Sequence, residues 1–386
     1  MLSGTIIQEE HTRERRILPI YFPPPIVTYL DFPFQLSILL AREKTRAWFY
    51  TNYIQIFSKL DSNPILLLHF WPDQYLVQHT QYFIDVIEVN ETVMKFRKDG
   101  AVQRIRRWLD HGFYVSVMLS ESRLPGTMFY GRGVYPHPQF FFGYDRNAGI
   151  FKLTNFDARG NYSIIDVTFS SLEEALSSPE TREAMSIYNG WGQTFQGKHP
   201  MTLYKFRERE DFQYRLDPLT IADLLDDYLN GNDTSAGHAL CTPRILEYGG
   251  SRWGMGVYEN LVTYMQRSCE SMPEYRPFHG LWEHKKVMSS RLRYLEEAGA
   301  LDPGARCAER YGAVENRANT IRLLLMKSLC SGEPLRRSAI IAHLSAMAAG
   351  EESLLGSVSK MLRSGHKRTD QGAGASGWIG INSTVV

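Results

Sequence analysis

One stretch constrains this chain more than any other: His137-Pro-Gln-Phe-Phe-Phe-Gly-Tyr-Asp145-Arg-Asn-Ala-Gly149-Ile-Phe-Lys-Leu-Thr-Asn155-Phe-Asp157. Two apolar runs, Gln139–Tyr144 and Ile150–Phe156, flank Asp145–Gly149, whose Asp, Asn and Gly tolerate tight-turn geometry, so the spacing predicts a β-hairpin. In an antiparallel pair the start of one strand lies beside the end of the other. His137 and the pair Asn155/Asp157 should therefore share one edge of the sheet. A polar side chain there can fix the tautomer of an imidazole that serves as a base. The plain alternative is a surface histidine followed by turn formers, and Asp145, inside the turn, is structural. No nucleophile stands out beside these residues.

Composition narrows the rest. The 386 residues allow two or three domains and a large core. Lys+Arg 43 against Asp+Glu 42 leaves a net charge of +1, so no global field recruits nucleic acid or an anionic membrane. Cys241, Cys269, Cys307 and Cys330 are scattered without a Cys-x-x-Cys pair, which argues against a zinc knuckle or disulfide framework and for free thiols in a cytoplasmic protein. Acids at Glu9 and Glu10 do not suit a signal peptide, and Ile65–Trp71 is too short to span a bilayer.

In chain order, residues 1–16 read as a flexible N-terminus and Ile17–Ile26 as extended, because consecutive prolines forbid helix. Asp31 and Pro33 signal a helix carrying Leu36, Leu39 and Leu40, and Trp48–Leu60 continues an aromatic helical face. Phe83–Val89 fits either a strand or a short helix. Ala101–Asp110 is a helix stopped by Gly112; Phe113–Leu119 alternates as a strand covered on both sides. Asn161–Phe169 is a third strand, Ser171–Leu176 a short helix, and Met201–Phe206 closes the sheet. Residues 17–210 thus form an α+β domain with a helical layer against a mainly antiparallel sheet.

From residue 211 to 363 the pattern is helical. Asp217 caps a helix that ends at Gly231, and Val257–Met272, Leu281–Ala298, Val314–Leu329, Leu335–Ala349 and Glu351–Leu362 come after it as amphipathic segments. Asn230–Pro243 is a loop, and residues 364–386, poor in apolar side chains at their start, read as a disordered tail.

Other constellations are weaker. Gly249–Gly256 lacks the Lys-Ser/Thr of a phosphate loop and reads as a turn. His279 and His284, five apart on a helix, face different ways, so no metal site is expected. Arg276, His279, Glu283, His284 and Lys285 read as solvated helix charges. The 21 Tyr and 20 Phe suit an acyl pocket, but aromatic residues are also ordinary core material.

His137, Phe140-Phe-Phe-Gly-Tyr-Asp145, Ile150–Asn155 and Tyr162…Leu172-Glu-Glu-Ala175 resemble the core of papain-like proteins typified by the N-terminal domain of butirosin biosynthesis protein H. The runs Gly256-Val-Tyr258-Glu-Asn-Leu261 and Glu283–Leu292 are similar to their C-terminal helical half. The resemblance spans about residues 17–355. It implies a papain-like domain in thiotemplated biosynthesis, with a cysteine at a helix start attacking a carrier-protein thioester and a histidine as its base. His137 matches the base and Asn155 the residue that orients it, with Asp157 as second choice. The helix start, Asp31-Phe-Pro-Phe-Gln-Leu-Ser37, has no cysteine, so the nucleophile does not carry over. The resemblance then implies an accessory protein that binds an acyl- or peptidyl-carrier thioester or a peptide with little or no turnover, without cofactor. An acyltransferase with a non-standard nucleophile and a structural adaptor stand as alternatives.

Overall fold

The computed structural model describes residues 3–60, 65–72, 82–89, 100–191, 201–208, 214–235, 251–267 and 272–372. The first half runs β1 (Thr5–Ile7), β2 (Glu10–His11), β3 (Arg15–Ile17), β4 (Ile20–Phe22), α1 (Asp31–Leu40), α2 (Arg46–Asn52), β5 (Gln55–Leu60) and β6 (Leu66–Trp71). Next come β7 (Ile84–Val89), α3 (Ala101–Asp110), β8 (Tyr114–Ser120), β9 (Pro136–Asp145), β10 (Ile150–Phe156), β11 (Tyr162–Thr168), α4 (Phe169–Ser177), α5 (Pro179–Trp191) and β12 (Met201–Phe206). The second half is α6 (Pro218–Asn230), β13 (Arg252–Trp253), α7 (Val257–Arg267), α8 (Arg276–Glu297), α9 (Cys307–Ser331) and α10 (Arg337–Gly372). The chain divides into two compact units, Leu2–Phe49 with Pro72–Tyr214, and Tyr50–Trp71 with Arg215–Val386. It is a mixed helix and strand protein with antiparallel sheets and a C-terminal helical region.

The first unit is built on a sheet of order β11-β10-β9-β8-β12-β7, with β3 pairing β9 beyond the end of β8. The expected hairpin is its centre: β9 and β10 pair antiparallel around Asp145–Gly149. β8 is buried along its whole length, as its unbroken apolar alternation requires. β12 does not close the sheet but lies between β8 and β7, and its pairing with β7 decides Phe83–Val89 as strand. Residues expected to fray also pair: β1 with β4 and β2 with β3.

Pleat alternation gives the sheet two distinct faces. On one, Phe34 of α1 stacks on Phe140 at 4.7 Å, and Tyr114 stacks on Phe140 at 5.6 Å. Each such pair adds about 0.5–1.5 kcal/mol beyond its buried area. On the other, Phe141 meets Phe151, and Phe151 meets Phe169 of α4 at 4.8 Å. α3 buries Val102, Ile105 and Leu109, and its Arg106 lies 5.6 Å over the same Phe169 ring.

In the second unit β13-β5-β6 form a small antiparallel sheet. The helix expected over Trp48–Leu60 therefore ends at Asn52 and becomes strand at Gln55, because Gln55–Leu60 finds a full ladder with Leu66–Trp71. Helical and strand patterns are hard to separate over so short an apolar run, and the pairing decides it. Asp217 caps α6 as expected, accepting from the Leu219 and Thr220 amides at 3.0 and 3.3 Å, and Gly231 ends it at φ +65. Gly254, also left-handed, packs so tightly that a Cβ there would lie 2.0 Å from Tyr228 O. The segments expected at Leu335–Ala349 and Glu351–Leu362 are one helix, α10, which also runs into the expected tail as far as Gly372. Residues 373–386, Cys241, Cys269 and most of the loop expected at 230–243 lie outside the described residues.

α8 corrects one expectation outright. Glu283, His284 and Lys285 are not solvated: their exposures are 2%, 0% and 0%. Lys285 Nζ donates to both oxygens of Glu351 at 3.0 and 2.9 Å, and the hydroxyls of Tyr228, Tyr258 and Tyr311 donate to the same carboxylate. One residue from each of the five helices α6 to α10 thus meets at one buried charge. Burial, with the Glu351 charge, holds all three phenols well above their ordinary range, so they remain donors. Nearby, Arg291 donates to the carbonyls of Tyr50 and Tyr53 and His284 Nε2 to that of Ile54, which caps the carboxyl end of α2.

Candidate functional site

His137 enters β9 opposite Leu119 of β8. By alternation it shares a face with Gln139 and Phe141. β8 ends in a 3-10 turn, Glu121–Arg123, and the Glu121 side chain is fully buried. His137 Nδ1 is hydrogen-bonded to Glu121 Oε1. The same oxygen accepts from Asn155 Nδ2 at 2.7 Å and, more weakly, from Gln139 Nε2 at 3.4 Å. Asn155 Nδ2 also reaches Gln139 Oε1 at 2.6 Å, and its own oxygen accepts from the Phe156 amide. Glu121, Gln139 and Asn155 are all 0% exposed, whereas the His137 side chain keeps 20%.

The hairpin edge does bring His137 and Asn155 together, but through Glu121 rather than directly. A carboxylate that accepts at Nδ1 selects, for a neutral ring, the tautomer whose Nε2 presents its lone pair. Among the described residues Nε2 has no hydrogen-bond partner. The ring is fixed by its neighbours: Tyr135 meets it edge-on at 5.3 Å, and Phe156 lies parallel to it at 6.5 Å. Glu121 Oε2, although buried, has no donor among the described residues.

Asp157 stays outside this network. Its carboxylate accepts from the Asn161 and Arg159 amides and from Ser163 Oγ, each at 2.9 Å. Burial pushes its carboxyl up, but those three donors outweigh it and hold the group below its usual range. It is a turn former that closes the β10–β11 connection.

The segment Asp31–Ser37, where a nucleophile is expected, belongs to the other face. Phe34 of α1 stacks on Phe140, and Phe140 projects opposite to His137 along β9. Ser37 is fully buried, and its Oγ has no hydrogen-bond partner among the described residues. Of the described thiols, Cys330 is exposed and Cys307 is buried in the helical unit, where burial pushes its thiol up and makes it a poor nucleophile.

Glu121 and Gln139 are the residues that sequence reasoning missed. Gln139 carried a signal, since it stands two residues from His137 and must share its face. Glu121 carried a fainter one: it is the acid just after the strand whose end pairs with the start of β9. Among the described residues no group of three or more His, Cys, Asp or Glu could hold a metal ion. No described helix is long and apolar enough to cross a membrane. Compared with protein-family models and with curated proteins, the chain matches none.

Proposed function

We propose that this chain is a cytoplasmic, papain-like accessory protein of thiotemplated natural-product assembly, binding an acyl- or peptidyl-carrier thioester or a peptide with reduced or no catalysis. The observation that carries the reading is the His137 imidazole, oriented through Nδ1 by a buried carboxylate, with no partner for Nε2 among the described residues. A lone pair at Nε2 suits an amide N–H, which a pantetheine arm and a peptide both supply. No hydroxyl or thiol joins the imidazole among the described residues, which favours binding over nucleophilic turnover. Glu121, with Asn155 and Gln139 behind it, takes the orienting role that an Asn or Asp has in a papain-like site.

An acyltransferase is the second reading, favoured by the same lone pair: it could take the proton of an attacking amine without any protein nucleophile. Titrating the protein with an acyl-pantetheine thioester, while monitoring free thiol, separates the two. The proposal expects saturable binding that His137→Ala weakens at least tenfold and thiol release no faster than in buffer. Rapid His137-dependent thiol release would move the weight to the acyltransferase. Absence of binding would leave a structural adaptor.

A further inference from the structure

The helical unit carries a second array of a different composition. Tyr275 precedes α8, and its hydroxyl is 2.9 Å from Nδ1 of His279, one turn on. His279 Nε2 lies 3.3 Å from Glu283 Oε1, whose side chain is 2% exposed. Hydroxyl, imidazole and buried carboxylate therefore stand in series, with distances within the looser range found before a substrate binds. With the Nε2 proton on the carboxylate side, Nδ1 is the acceptor for the phenol proton.

Arg322 of α9 completes the group. Its Nη1 donates to Tyr275 Oη at 3.3 Å and its Nε to Asn319 Oδ1 at 3.0 Å. The guanidinium lies 4.4 Å over the Trp282 ring, which also meets His279 at 5.3 Å, so one aromatic ring borders both the cation and the imidazole. Met326 Sδ sits 3.4 Å from the phenol and is a weak acceptor that competes poorly with an imidazole nitrogen. Met326 is 38% exposed and offers an apolar surface beside the hydroxyl, and Leu323, one turn before it on α9, is 50% exposed. Burial pushes the Tyr275 phenol up while Arg322 opposes it, so the hydroxyl keeps its proton until a base removes it.

We infer that Tyr275 is the nucleophile of a second site, accepting an aliphatic acyl group from an activated ester or thioester. In that step the phenol oxygen bonds to the acyl carbon, the carbon–sulfur or carbon–oxygen bond of the donor breaks, and the phenol proton passes to His279 Nδ1. The imidazolium returns that proton to the leaving thiolate or alkoxide, so the products are a tyrosyl ester and a free thiol or alcohol. Glu283 supports the charged imidazole, and Arg322 the oxygen on which negative charge develops.

The test uses the full chain with Cys330→Ser, since an exposed thiol would itself take acyl groups. The probe is p-nitrophenyl butyrate. A stoichiometric burst of nitrophenolate is expected, with the butyryl mass mapped by peptide sequencing to Tyr275. Tyr275→Phe should abolish the burst, and His279→Gln should slow it at least tenfold with the urea midpoint unchanged. Butyryl found only on lysines, an undiminished burst in Tyr275→Phe, or equal rates in His279→Gln would each overturn the assignment.

Discussion

Glu351 and Glu121 are both carboxylates without exposed surface, and the contrast between them separates scaffold from site. Around Glu351, an ammonium and three phenols supply donors to both oxygens, and the counter-charge of Lys285 is as deeply buried as the acid. Around Glu121, the donors converge on one oxygen, the other has none among the described residues, and the ionisable partner is an imidazole that reaches solvent. A complete shell ties helices together. The shell around Glu121 is incomplete among the described residues and is joined to a ring that keeps part of its surface in solvent.

The largest test of this contrast is Glu351→Gln. It strands the Lys285 charge in the core and should cost about 3–5 kcal/mol in urea unfolding. The double variant Lys285→Met/Glu351→Leu should recover only part of that loss, since it removes the stranded charge but leaves the hydroxyls of Tyr228, Tyr258 and Tyr311 without their acceptor. A cost below about 1 kcal/mol for Glu351→Gln would leave the hub without a part in stabilising the fold.

Acid comes next and acts on the same unit. Burial, helped by the positive charge of Arg276, holds His69 at about 4, down from 6.5, and burial with Lys285 lowers His284 well below its usual value. Below 6.5 the unfolded chain binds a proton that the folded one refuses, so the stability is full above 6.5 and lost as pH falls toward 4. His69 alone should contribute a loss of roughly 3 kcal/mol over that window. Urea midpoints at pH 7 and pH 4 would show it, and His69→Phe should flatten the profile.

Glu121→Gln should cost only about 1–2 kcal/mol in stability, because an amide oxygen can still accept from Asn155 and Gln139 and no lysine or arginine is left buried without its partner. Its main effect should be on ligand: at least tenfold weaker thioester binding, with the His137 ring signals shifted in NMR. If instead it unfolds the protein as Glu351→Gln does, the distinction between the two acids fails. Smallest is Asp157→Ala, expected to cost below about 1 kcal/mol and to leave the His137 signals in place, since among the described residues its carboxylate bonds to Arg159, Asn161 and Ser163 and not to the His137 network.

Legibility in the sequence tracks the range of the interactions. The β9–β10 hairpin is readable because its alternation and turn residues are local, and so is α6, with a cap at one end and a glycine at the other. Gln55–Leu60 misleads because its identity as strand depends on Leu66–Trp71 supplying a ladder. Lys285 looks like a surface lysine because its partner lies 66 residues away on another helix. Glu121 is hidden for the same reason, standing 16, 18 and 34 residues from the three side chains bonded to it. Charge patterns report local helicity well and burial badly, since burial of a charge is decided by whichever distant group neutralises it.

Gly254 gives the hub a mechanical boundary. A single carbon added there would press within 2.0 Å of the Tyr228 carbonyl, and the Tyr228 ring is one of the donors to Glu351. The glycine is thus a spacer of minimum thickness, and thickening it would lever the last turn of α6 away from the carboxylate. A seemingly innocuous alanine in a loop would then be felt as a loosened ion pair in the core.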